Sequence, residues 1–119
     1  MPQTEQDKLL RQLKIKGGTC ERLQKDLRAY EKEAQQVEAK LQQMRESGAD
    51  AHDIKQQEMV LEETQTMIVD SKKRLEDALD ALKKLIDEDL ESSSIDLTAL
   101  KESPEYEKAT TILQQSISS

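Results

Sequence analysis

The stretch 20–44, CERLQKDLRAYEKEAQQVEAKLQQM, places Cys20, Leu23, Leu27, Tyr30, Ala34, Val37, Leu41 and Met44 at intervals that alternate three and four residues. That spacing is the a/d repeat of a helix that lays one narrow stripe against another helix. Traced backward, the phase passes Lys16 and reaches Leu13 and Leu9. One helix is therefore expected from about residue 4 to about residue 47. Gly17 and Gly18 lie inside it, and two glycines cost a helix about 2 kcal/mol relative to alanines, so a kink or soft spot is expected there.

Past this stretch, Gly48 suits the left-handed position that ends a helix, and Asp50 can cap the next one. A connection this short makes the two helices antiparallel neighbours. The second helix, about 51–91, keeps a seven-residue beat in Ile54, Leu61, Ile68, Leu75 and Leu82. Gln57, Thr64, Ser71, Ala78 and Leu85 alternate with them, so the early half buries little and should be the looser part. Met44, Met59 and Met67 lie on or beside the apolar stripe and are expected to fill core. Met59, Val60, Met67 and Val69 widen the stripe, which calls for a third partner. After a linker at 92–102, in which Ile95, Leu97 and Leu100 suggest one docking turn, Ser103 and Pro104 open a third helix, about 103–117. Tyr106, Ala109, Leu113 and Ile117 would form its apolar face, covering the Met59, Val60 and Met67 flank. The expected fold is all-α: an elongated three-helix bundle, a long antiparallel hairpin plus a short third helix, in a single domain of 119 residues.

Composition agrees. Charged residues make up 36% of the chain and aromatics 2%, too few to line a deep pocket. The net charge of −7 is uneven: residues 1–47 carry 10 bases against 8 acids (+2), leaving 8 of the 18 bases and 17 of the 25 acids (−9) to the remainder. An acidic chain without an evident basic stripe, and with two tyrosines, is a poor nucleic-acid binder. No stretch approaches the roughly 18 apolar residues of a membrane span, and no signal peptide is evident, so a cytoplasmic protein is expected. A single cysteine permits no internal disulfide and agrees with a reducing compartment.

Catalytic chemistry finds no footing. His52 is the only histidine, placed at the turn, with Asp50 and Asp53 as its only near acidic neighbours; an exposed turn residue is expected. Cys20 sits on the seam and is expected to be a buried hydrophobe although Lys16 and Arg22 are near. Asp87, Glu88, Asp89 and Glu91 lack the glycine and spacing of a calcium loop and should be a solvated helix end. No phosphate loop, nucleophile elbow or zinc-protease motif occurs. No enzyme and no cofactor are expected.

Several strings then fall in order: Lys14-Ile15-Lys16, Thr19-Cys20, Tyr30-Glu31-Lys32-Glu33, Asp53-Ile54-Lys55-Gln56-Gln57-Glu58, Met67-Ile68 and Arg74-Leu75-Glu76. Together, over roughly residues 12–91, they resemble the tubulin-binding cofactor A family. Val69 stands where that pattern often has proline; valine restores the backbone donor that proline lacks and puts any bend there in question. The resemblance implies a cytoplasmic, cytoskeleton-associated cochaperone that holds quasi-native β-tubulin for assembly with α-tubulin, with other tubulin-folding cofactors as further partners and no cofactor or catalysis. Since the seam residues are committed to holding the helices together, the implied contact falls on the charged flank: Glu31, Lys32 and Glu33, with Asp53, Lys55, Gln56 and Glu58. A second reading is a structural coiled-coil scaffold that self-associates through its heptads; monomer and homodimer both remain open on sequence.

Overall fold

The computed structural model describes residues 4–117, and for Ile117 the side chain lies outside the described part. Every regular element among these residues is helical: α1 (Glu5–Glu46), α2 (Ala51–Lys84), one π-helical turn (Leu85–Asp89), α3 (Thr98–Lys101) and α4 (Pro104–Ile117). The all-α class expected from apolar spacing is the class adopted. Packing divides the chain into two compact units, Met1–Arg22 with Leu75–Ser119, and Leu23–Arg74. Helix α1 runs through Gly17 and Gly18 without interruption.

In the unit Leu23–Arg74, two antiparallel helical segments meet along one thin seam. All the a/d residues of this unit are buried or half-buried, but full burial is reached only at Ala34, Leu41, Thr64 and Ser71. Three of those four are small or polar, so little apolar area leaves water. The Thr64 hydroxyl is satisfied by donating to the carbonyl of Val60 in its own helix, at 2.9 Å. The turn is set by backbone geometry. Gly48 takes a φ of 72°; its N–H donates to Arg45 O at 3.4 Å and that of Ala49 to Met44 O at 2.9 Å. This pair of bonds is the Schellman closure of a helix, and it needs a left-handed residue where only glycine is free of strain. The Asp50 carbonyl then accepts from Ile54 N–H at 3.0 Å, which opens α2.

The other unit packs more deeply. Leu9, Leu13 and Cys20 from α1, Leu82, Leu85 and Leu90 from the end of α2 and the turns after it, Leu100 from α3, and Ala109 and Ile112 from α4 form one buried cluster. The π-helical turn explains Leu90. After Leu85 the heptad would send Asp89 inward; instead Leu90 N–H reaches back five residues to Leu85 O at 2.9 Å. The extra residue rotates the chain, so that Leu90 is fully buried and Asp87, Glu88 and Asp89 stay in water. Helix α4 opens with the Ser103 hydroxyl accepting from Tyr106 N–H at 3.2 Å, the N-cap bond expected of serine before proline. Its inner face differs from the expected one in that Ile112 is buried, with Tyr106 and Leu113 half-buried beside it. At the start of α1, Thr4 and Asp7 exchange backbone-to-side-chain bonds of 3.4 and 3.1 Å, a capping box with aspartate in place of glutamate.

Two expectations need correction. Met59, Val60, Met67 and Val69 are not covered by a third helix; they belong to the unit Leu23–Arg74 and are 41–69% exposed, while α4 belongs to the other unit. Met59 and Met67 therefore do not fill core, whereas Met44, at a seam position, is half-buried.

Candidate protein-binding surface

Glu31, Lys32 and Glu33 on α1 and Asp53, Lys55, Gln56 and Glu58 on α2 are all exposed, and all lie in the unit Leu23–Arg74. They occupy two levels of it. Glu58 faces Arg45 beside the turn, with Nη2 3.4 Å from Oε1 and both side chains about half in water, a pair that contributes only tenths of a kcal/mol. Tyr30, next to Glu31, instead shares a groove with Leu23, Asp26, Met67, Asp70 and Arg74. Glu31 and Arg45 are separated by about 20 Å of helix at 1.5 Å per residue. The two charged strings are thus ends of an extended surface and not one cluster.

What lies between them was not expected there. Met59 follows Glu58 directly, Val60 follows Met59, and Met67 reaches the Tyr30 groove; all three are exposed. Met59 and Met67, with Glu62, Glu63 and Thr66, line a shallow depression on α2. Between Lys55 and Lys72 this helix carries Glu58, Glu62, Glu63 and Asp70 and no base. Among the described residues, Glu62 and Glu63 enter no ion pair, whereas Asp70 is held by Arg74 at 3.2 Å. The surface is an apolar ridge about 12 Å long with an acidic border and charged strings at both ends. The phase of the sequence held the clue: Met59, Val60 and Met67 fall off the a/d positions, and a two-helix segment has nothing else to cover them with.

The remaining reactive groups are quiet. Cys20 is fully buried; burial pushes its thiol up in pKa, against the opposing pull of the Lys16 charge. His52 lies exposed in the first turn of α2. Among the described residues no group of three or more His, Cys, Asp or Glu side chains converges to hold a metal ion. Among the described residues no helix is long and apolar enough to cross a membrane.

Helices that offer a broad charged and apolar face have the form of a protein-binding surface. Comparison with known proteins specifies which. Residues 8–113 match the family model described as tubulin binding cofactor A. The chain is 47% identical to tubulin-folding cofactor A of Arabidopsis thaliana over 84% of its own length and 83% of that protein's. It is 40% identical to tubulin-specific chaperone A of Gallus gallus, over 91% and 93%. Its fold is similar to the crystal structure of tubulin folding cofactor A from Arabidopsis thaliana, with a TM-score of 0.79 at 40% identity, covering 93% of this chain and 97% of that one. It is also similar to human tubulin chaperone cofactor A, with a TM-score of 0.72 at 36% identity over 90% and 96%. The chain belongs to the tubulin binding cofactor A family.

Proposed function

We propose that this protein is a tubulin-folding chaperone that captures β-tubulin in the cytoplasm by non-catalytic binding and keeps it competent to pair with α-tubulin. The observation that carries this reading is the extent of the family match: residues 8–113 include all of Leu23–Arg74 and most of the other unit, so the charged and apolar surface of the first and the buried cluster of the second both fall within the likeness. Such a chaperone works by mass action. A binder present at about a hundred times its dissociation constant stabilises the bound form by about 2.7 kcal/mol, without any chemical step.

The contact is assigned to the unit Leu23–Arg74. Glu31, Lys32 and Glu33 at one end and Asp53, Lys55, Gln56 and Glu58 at the other supply orientation and electrostatic selection. The Met59, Val60 and Met67 ridge between them supplies apolar area, the usual arrangement of an apolar centre inside a charged rim. The a/d residues take no part, because exposing them would mean parting the helices. The same commitment counts against a scaffold that self-associates through its heptads.

The test is capture of β-tubulin and α-tubulin from a tubulin-folding extract by the purified protein. β-Tubulin should be retained in preference. Combined charge reversal at Glu31, Asp53 and Glu58, with helix content checked by circular dichroism, should weaken capture by about tenfold or more. Absence of capture by the wild type would remove the function; undiminished capture by the folded triple variant would move the site elsewhere.

A further inference from the structure

In the unit formed by Met1–Arg22 and Leu75–Ser119, an open depression lies over Gly18 on the outer face of α1. It is lined by Leu10, Arg11, Lys14, Ile15, Thr19 and Arg22, with Glu105 of α4 at its edge. Three observations set it apart. First, Gly18 has no internal explanation: it is exposed within a continuous helix, and a Cβ built there meets nothing within 4 Å. Its neighbour Gly17 is buried, with Ile112 Cδ1 3.8 Å from such a Cβ. Glycine is the most helix-weakening residue after proline, and at position 18 none of the described residues uses the space it leaves. Second, Arg11, Lys14 and Arg22 surround that space, and among the described residues none of them forms an ion pair. From Lys8 to Arg22 the helix carries five bases against one acid, Glu21, a local basic face that the whole-chain charge of −7 conceals. Third, Ile15 is 56% exposed and stands in the same depression.

We propose that this groove is a docking site for an extended acidic peptide segment of a partner protein, carrying at least one apolar side chain. The carboxylates would pair with Arg11, Lys14 and Arg22, the apolar side chain would rest on Leu10 and Ile15, and the missing Gly18 side chain lets the peptide backbone approach the helix. Arg11 to Arg22 spans about 16 Å of helix, the length of about five residues of extended chain. The charges select the occupant. A basic segment, which suits the acidic border of the ridge on α2, would be repelled here. Nucleic acid is disfavoured because the groove contains no aromatic side chain for stacking and has Glu105 on its edge. The site does not depend on the tubulin reading.

The experiment is fluorescence polarisation of the full chain with a fluorescein-labelled decapeptide of glutamate containing one central leucine, and in parallel with a single-stranded oligouridine of equal charge. Saturable peptide binding is expected, weakening as salt rises. Arg11→Glu combined with Arg22→Glu should lower affinity by about tenfold or more. Gly18→Met, which fills the groove without altering charge, should also lower it while helix content is kept or raised. That second variant separates a groove from a merely positive surface. Absence of saturable binding, equal binding by Gly18→Met, or tighter binding of the oligouridine through the same arginines would each overturn the proposal.

Discussion

The two units of this chain use the same repeat and reach different depths of packing. In Leu23–Arg74 two helices meet alone, and most a/d side chains keep one edge in water. In the other unit the same two stripes meet α3, α4 and the turns that follow α2, and Leu13, Cys20, Leu82, Leu85, Leu90 and Leu100 lie within 1% of full burial. Heptad spacing therefore specifies which side chains face inward but not how much water they lose; that depends on how many elements close around the seam. The thinner unit can spare its flanks for binding, since its stability does not depend on covering Met59 or Met67. The thicker unit, which buries more apolar area, should supply more of the stability.

The largest expected effect tests this division directly. Leu85→Ala, at a fully buried site, should cost about 3 to 5 kcal/mol by chemical denaturation. Leu27 in the thinner unit and Leu75 at the border of the thicker one, which spacing alone would rank as equal central knobs, are half-buried. Their alanine variants should cost about 1 to 2 kcal/mol. Native-state hydrogen exchange should follow the same order, with amides around Leu82 and Leu85 protected longer than those around Leu61 and Ile68. A loss for Leu27→Ala as large as that for Leu85→Ala would mean that the two units do not differ in energy.

Much of this architecture was legible. The a/d phase named the inward residues of both long helices, Gly48 marked the turn, and Ser103 with Pro104 marked the start of α4. What was not legible has a common cause. Leu90 replaces Asp89 in the core because one wide turn adds a residue to the spacing, and no periodicity announces such an insertion. Ile112 is buried and its neighbour Leu113 only half-buried, a choice between adjacent apolar residues that spacing within α4 does not encode. The exposed Met59, Val60 and Met67 were misassigned because the stripe tells that an apolar flank exists, and not whether a later helix reaches it. For the candidate site, the charged strings came from family likeness. The ridge between them and the groove over Gly18 emerged only when exposure was known.

The next effects are smaller and of opposite sign. Gly18→Ala should stabilise the protein by about 1 kcal/mol, because it strengthens an exposed helix interior without a clash. Gly17→Ala should gain up to about that amount, its Cβ making an ordinary contact with Ile112. Both gains fall in the better-packed unit and would widen the difference between the two; thermal midpoints would report them. Thr64→Val acts on the thinner seam. It replaces a buried hydroxyl, bonded only within its own helix, with a methyl group, and should gain about 0.5 kcal/mol or slightly more. A loss from Thr64→Val would show that the hydroxyl sets the pairing of the helices.

The smallest effect concerns how the thicker unit closes. Asp96 lies before α3, and its Oδ1 accepts from the Thr98 backbone N–H at 3.0 Å and from the Thr98 hydroxyl at 2.8 Å. These bonds favour the ionised carboxylate, the backbone one most, and hold its pKa below the usual aspartate value. A folded-state pKa lower than the unfolded one means that the unfolded chain takes up the proton first. The stabilisation is therefore complete above the unfolded value of about 3.9 and is lost as pH falls through the lower folded value. Because Asp96 is exposed the contribution is slight, yet it acts on the turn that carries Leu100 into the core. Asp96→Asn retains an oxygen acceptor but cannot titrate. Between pH 5 and pH 2 the wild type should lose slightly more protection at the Lys101 amide, which donates to Leu97 O at 2.8 Å, than this variant does, with no difference between them at amides of Leu61 or Ile68. An equal acid response at Lys101 in both proteins would show that the turn is held by the burial of Leu100 alone.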